Sequence, residues 1–345
     1  RLLREESLSS QRLLDSLARE SASFQKTFRT AWETLLDVRT ATDEVNWTQK
    51  SKADRGGWME MAGLIRNVSR QEELPTVFLH PKKWNGRTVV WLTGRGKSGL
   101  YGAANAPLAA VQKLLDAGTT VVGVDLVHQG EFTRDGEPLT MAPVVPNPRQ
   151  VPAYTFGYND SILAWRAQDV VTLINYIQGN ERKSQWIGLV GTDGAGPVAA
   201  AARFSLGRKV DRTVLDTAGF RFGRLLDYRS PDFLPGSAKY GDLPGLLLAA
   251  DAGELRVAGE TAAELGQWSK RFPLGATQAI RLDNNAAETI AAAVQNVSKA
   301  SSEFRDHYRK VQDPLSRYYG RSWQKVREVM EREGVDVVVP RLDFA

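Results

Sequence analysis

The stretch from Ser184 to Phe204 constrains the fold of this chain more than any other part of it. Trp186-Ile187-Gly188-Leu189-Val190 is a short apolar run with strand character, and Gly191-Thr192-Asp193-Gly194-Ala195-Gly196-Pro197 is a turn dense in glycine. An alanine-rich helix then opens at Val198-Ala199-Ala200-Ala201-Ala202. A buried strand that turns this sharply into a helix belongs to a parallel sheet, and the strained turn lifts one side chain above the sheet edge. Here that side chain is Asp193.

The chain has 345 residues, enough for one large α/β domain or two smaller ones. With 42% hydrophobic and 25% charged residues it falls in the globular class rather than the disordered one. No run approaches about 18 consecutive apolar residues, so no conventional membrane-spanning helix is expected, and no membrane partner. The net charge of +5 is dispersed among acids, which argues against nucleic acid as a partner, because that role needs a concentrated basic face. The chain lacks cysteine, which excludes disulfides, thiolate metal sites and cysteine nucleophiles. No His/Asp/Glu cluster has the spacing of metal ligands, so no metal or other cofactor is expected. The first residue is Arg1 and no leader is visible, which reads as a trimmed chain or a piece of a longer one.

Leu13, Leu14 and Leu17, then Phe24, Phe28, Trp32, Leu35 and Leu36, recur at helical spacing and predict one or two amphipathic helices packed against a neighbour. Ala41 to Gly57 is polar and reads as a linker. Trp58 to Val68 and Leu74 to His80 alternate like two antiparallel strands. Continuous β-branched runs follow at Thr88 to Leu92 and Thr120 to Val124, with later strands at Arg212 to Leu215, Leu255 to Ala258 and Ala279 to Leu282. Helices are expected over Ala106 to Ala117 and Asp160 to Gln178, and a long proline-rich loop over Asp125 to Thr155. Strands alternating with helices in this way define an α/β fold with a sheet covered on both faces. The expected organisation is a helical extension and linker over 1–57, an α/β unit over 58–300 and a helical C-terminal extension over 301–345. Within the last, Ser301 to Arg332 reads as helix and Val337 to Val339 as a short strand.

Gly94-Arg95-Gly96-Lys97-Ser98 superficially suggests a phosphate loop, but the further glycine such a loop requires is replaced by Trp91, inside a strand. Taken with Trp84-Asn85-Gly86-Arg87, Thr93-Gly94-Arg95-Gly96, Asp125 to Gly130, Thr155-Phe156-Gly157-Tyr158-Asn159 and the Gly191 to Gly196 turn, the chain resembles the α/β-hydrolase superfamily. Within it, the chain is similar to the acetyl-xylan-esterase-like branch of bacterial carbohydrate esterases, over roughly Trp58 to Val297. The resemblance implies an α/β-hydrolase fold with a mostly parallel sheet of about eight strands. It also implies a carbohydrate or ester ligand, a secreted or periplasmic location, and an N-terminal region that joins the unit to an adjoining hydrolase-like domain.

The same resemblance assigns roles. Asp193 stands where the nucleophilic serine would be, Thr93 where a histidine is frequent, and Asn284 or Asn285 near the place of the late histidine. Asparagine takes no proton at neutral pH. Oxyanion-hole candidates are the amides of Gly94 or Arg95 and of Gly194. Of the three histidines, His80 falls at an early strand end, His307 in a charged C-terminal helix, and His128 just beyond a parallel strand, where α/β sheets place their sites. Glu260 or Glu264 could supply the triad acid, or either could be a helix cap or surface carboxylate. Phe220 to Tyr240, rich in aromatics and arginine, either overhangs the cleft as a sugar-stacking surface or packs on itself.

Three functions are therefore open. The leading one is a catalytically degenerate esterase-like domain with a structural, ligand-binding or partner role. The second is a hydrolase that uses Asp193 as nucleophile, forming an ester intermediate, with His128 or bound water as base. The third is a carbohydrate-binding module without turnover. On the bland reading, Asp193 only tolerates the tight turn or caps the following helix.

Overall fold

The computed structural model describes residues 2–17, 20–40, 44–143, 155–157, 159–261, 263–264, 267–268 and 280–282. Its strands are β1 (Val45–Asp54), β2 (Trp58–Asn67), β3 (Glu72–Pro81), β4 (Arg87–Leu92), β5 (Thr120–Val124), β6 (Trp186–Gly191), β7 (Arg212–Asp216), β8 (Glu254–Ala258) and β9 (Ile280–Leu282). Its helices are α1 (Leu2–Leu17), α2 (Ser21–Leu36), α3 (Ala109–Asp116), α4 (Ile162–Gly179), α5 (Gly196–Leu206) and α6 (Asp242–Ala249). The strands join in one sheet in the order β1-β2-β3-β5-β4-β6-β7-β8-β9. β1, β2, β3 and β5 pair antiparallel in turn, whereas β4 to β9 run parallel with β5.

The parallel half follows from its composition. Every residue of β5, Thr-Val-Val-Gly-Val, is buried, and such a run is stable only between two covered faces. On one face α2, α4, α5 and α6 form the larger core with Leu163, Val171, Ala199, Leu243 and Leu246, all at 0% exposure. On the other, α3 packs Val111 and Leu115 against Val89, Trp91, Val121, Val190 and Val214. Ser161 caps the N-terminus of α4 by accepting the Ala164 N–H at 3.1 Å.

One expectation needs correction. The supposed linker contains β1, which pairs antiparallel with β2 from Met59 to Asn67 and forms the outer edge of the sheet. Its sequence hid it because an edge strand is largely solvated: of ten residues only Val45, Trp47 and Ala53 are partly covered. The N-terminal helices pack against a neighbour, as their spacing predicts. Phe28, Trp32 and Leu36 of α2 lie in the main core at 2%, 0% and 2% exposure, and the Trp32 ring meets Phe222 at 5.9 Å. The expected C-terminal helices, the strand at 337–339, Asn284, Asn285 and His307 fall outside the described residues.

Candidate functional site

The elbow forms as its glycines require. Asp193 has φ 53° and Gly194 φ 84°, a left-handed pair that reverses the chain between β6 and α5. β4 and β6 stay paired past their last residues: Thr192 N–H donates to Leu92 O at 3.0 Å, and Gly94 N–H donates to Asp193 O at 2.9 Å. A Cβ on Gly94 would overlap that same carbonyl oxygen, so only glycine allows the approach. The indole of Trp91 donates to Thr192 Oγ1 at 2.9 Å and ties the turn to the sheet.

This geometry decides what the candidate oxyanion donors can do. The Gly94 amide is spent on Asp193 O. The Arg95 amide points to Thr93 Oγ1 at 3.2 Å, and that hydroxyl donates in turn to Gly96 O at 2.7 Å. The Gly194 amide alone of the three has no partner among the described residues. The Asp193 side chain, 29% exposed, faces the Arg95 guanidinium at 3.5 Å. An oxyanion hole needs at least two amides aimed at one point, and here two of three are already bound.

The loop after β5 is held from several sides. Asp125, 1% exposed, accepts the Lys97 N–H at 2.9 Å, the Glu131 N–H at 3.0 Å and the Lys97 ammonium. Lys97 also reaches Glu131, so its ammonium anchors this loop, while Arg95 faces the elbow. Val127 is clamped by α4: its carbonyl accepts from Arg166 Nε at 3.0 Å and its amide donates to Asp169 at 2.9 Å. Burial pushes the Asp169 carboxyl up to about 7. His128 follows with φ 63°, half-buried, and its pKa is lowered by burial and then by the Arg166 charge. A neutral imidazole suits a base, but no hydrogen bond or ion pair joins His128 to Asp193 among the described residues. His80 sits elsewhere, its Nδ1 2.8 Å from Thr120 Oγ1 near the opposite end of β5.

Glu260, just beyond β8, has a fully buried side chain that accepts three hydrogen bonds: from Arg221 Nη1 at 2.8 Å, Arg221 Nη2 at 2.7 Å and Thr217 Oγ1 at 2.6 Å. Arg221 also lies over the Trp268 ring at 5.3 Å. Glu264 does ordinary capping, since it accepts the Thr261 N–H at 2.7 Å while its own N–H donates to Thr261 Oγ1 at 3.2 Å. The aromatics of 220–240 are also largely committed: Phe222 to Trp32, Phe233 to Phe156, and Tyr240 to Phe28. Sequence reasoning missed Arg221 as the partner of Glu260 and Arg95 as that of Asp193. Neither has a local signal, since the two ends of the first pair are 39 residues apart.

No family model and no curated protein matches this sequence. Solved structures do resemble it. A Bacteroides fragilis protein described as an acetyl xylan esterase is 14% identical, with 79% of this chain and 77% of that one covered at a TM-score of 0.54. A methylesterase is 11% identical, with 85% and 67% covered at 0.50. Acetyl xylan esterase 1 of Thermoanaerobacterium is 13% identical, with 78% and 92% covered at 0.47. The strand order, the elbow and the first two of these likenesses agree: the chain has the α/β-hydrolase fold.

Proposed function

We propose that this chain is an esterase-like domain that has lost ester hydrolysis and acts by binding a ligand or a partner. The observation that carries this reading is that each of the two key carboxylates is engaged by an arginine of its own. Arg95 faces Asp193 at the elbow, and Arg221 holds Glu260 where a triad acid would orient a histidine. The bidentate guanidinium and the Thr217 hydroxyl together fill three of the roughly four acceptor sites of the Glu260 carboxylate, which leaves little of it to orient an imidazole. The bound amides of Gly94 and Arg95 support the same conclusion, since they leave little to stabilise an oxyanion.

A second reading keeps Asp193 as a nucleophile. Its carboxylate would attack an acyl or alkyl carbon and expel the leaving oxygen, and water activated by His128 would cleave the resulting intermediate. The positive φ at Asp193 favours this reading, because it is the strained backbone that presents a nucleophile.

One experiment separates them: hydrolysis of a small aryl acetate and of acetylated xylan by the wild type and by Asp193→Ala. The first reading predicts no turnover above background in either protein. Turnover that disappears with Asp193→Ala and with His128→Ala would overturn it in favour of the second.

A further inference from the structure

Met59 and Met61 lie two residues apart on β2, and His80 of β3 stands directly across from Met59. Cross-strand partners share a face of the sheet, as do alternate residues of one strand, so the two thioethers and the imidazole project from one side. It is the side of Ile65 and Leu74, which oppose each other in the same register and belong to the larger core. The His80 ring is held in place. Its Nδ1 lies 2.8 Å from Thr120 Oγ1, and the Trp84 ring lies beside it with 5.6 Å between centroids. Trp84 is itself fixed, since its indole donates to Arg87 O at 2.8 Å. His80 Nε2 has no hydrogen-bond partner among the described residues. Met59, Met61, His80 and Trp84 are all partly exposed, so an ion can reach them from solvent.

We propose that Met59, Met61 and His80 bind one copper(I) ion, with the Trp84 ring as its neighbour. The donor set selects the metal. Two thioethers and a neutral imidazole are soft, uncharged ligands that suit copper(I), whereas calcium and magnesium take oxygen ligands. The carboxylate across from Met59, that of Asp54, is already paired with Lys82 at 2.8 Å, so it adds no hard ligand for zinc. Reach is adequate: directly opposed Cβ atoms lie about 5 Å apart and diagonal neighbours about 7–8 Å. Methionine closes such gaps with its rotatable, unbranched side chain. When Nδ1 donates to Thr120 Oγ1, Nε2 keeps the lone pair that a metal needs, the arrangement usual for ligating histidines. Burial and then the Arg182 charge lower the His80 pKa, which keeps the ring neutral at neutral pH. An indole face near the ion adds cation–π attraction. The chain has no cysteine, so no thiolate competes for the metal. Spacing of His, Asp and Glu along the sequence does not reveal such a set, because its sulfur ligands are methionines and its histidine comes from the next strand.

The place is distinct from the elbow. Thr120 opens β5, whereas Asp193 lies beyond the carboxyl end of β6, which runs in the same direction. The five residues of β5 alone put about 16 Å between those two edges of the sheet, at the usual rise of a strand. This inference does not depend on what Asp193 does.

The test is anaerobic titration of the full chain with copper(I), supplied as its acetonitrile complex, in competition with the chromophoric chelator bicinchoninate. Silver(I) nitrate and zinc(II) sulfate serve as comparisons. The chain should withdraw one equivalent of copper(I), silver(I) should compete for it, and zinc(II) should not. Thr120→Val, which releases the His80 ring, should weaken binding about tenfold. Met59→Leu and Met61→Leu keep the apolar volume and should weaken it at least as much with little change in melting temperature, whereas Met141→Leu and Asp193→Ala leave it unchanged. The ε-methyl NMR signals of two methionines should shift when silver(I) is added to the wild type, a readout that needs no variant. No copper(I) withdrawn by the wild type, no methionine signal shifted, binding that survives the double variant Met59→Leu/Met61→Leu, or displacement of copper(I) by zinc(II) would each overturn the proposal.

Discussion

Replacing Arg221 by methionine tests whether the carboxylate beyond β8 is a structural element rather than a catalytic acid. Glu260 is at 0% exposure and Arg221 at 15%, so water screens the pair little. Burial works against the guanidinium charge, but the hydrogen bonds and charge of Glu260 outweigh it, and Arg221 titrates above its ordinary value. Losing the arginine removes two of the three bonds to Glu260 and leaves a buried carboxylate with only the Thr217 hydroxyl. Breaking a buried pair from one side costs about 3–5 kcal/mol, because the remaining charge keeps its desolvation penalty without its partner. The lost cation–π contact with Trp268 adds about 1 kcal/mol. The double variant Arg221→Met/Glu260→Leu removes both charges and should cost far less than the sum of the two single changes. Urea unfolding followed by circular dichroism measures all four proteins, with an unchanged slope guarding against loss of the native state. A single-variant cost under about 1 kcal/mol, or strict additivity in the cycle, would refute the argument.

Three other outcomes follow from the same structure. Trp32→Ala should cost about 3–5 kcal/mol in urea unfolding, whereas Trp32→Phe should cost about 1 kcal/mol or less, since it discards a buried indole N–H that has no acceptor. Gly94→Ala should cost about 1–3 kcal/mol by thermal melting, because its methyl meets the Asp193 carbonyl; an unchanged melting temperature would mean the β4 loop is not pressed against the elbow. Asp169, raised from 3.8 to about 7 by burial, holds its proton more tightly folded than unfolded. Its contribution to stability is therefore full below the unfolded value and is lost as pH rises through about 7, at roughly 1 kcal/mol per unit. Asp169→Asn should flatten that part of the stability-against-pH curve.

Much of the fold was legible because local pattern and global environment agree. β5 reads as a buried strand because five residues without a charge tolerate only a place between two layers, and the structure buries all five. The elbow reads from its glycines, and the left-handed backbone at Asp193 and Gly194 answers to them directly. The helix expected over Asp160 to Gln178 is α4, and the structure adds its Ser161 cap. Where pattern and environment part, the reading failed. β1 is polar because it is an edge, and polarity without a visible partner looks like a linker. α2 packs against a neighbour as its spacing predicts, but nothing in that spacing tells that Trp32 reaches the ring of Phe222 and the core beneath α6.

For the site the division is sharper. The sequence determined by itself which residue types stand at the elbow and which do not: an aspartate for a serine, a threonine before Gly94, and His128 beyond β5. Only the tertiary structure decided what those residues are free to do. Arg95 meets Asp193, Arg221 takes Glu260, the ladder beyond β4 consumes the Gly94 amide, and Met59 stands across from His80. These are contacts between segments far apart in the chain, fixed by which strands lie side by side. Strand and turn propensities act over a few residues, but the pairing of charges and the spending of backbone donors depend on distance in space, and one sequence read along its length carries no measure of that.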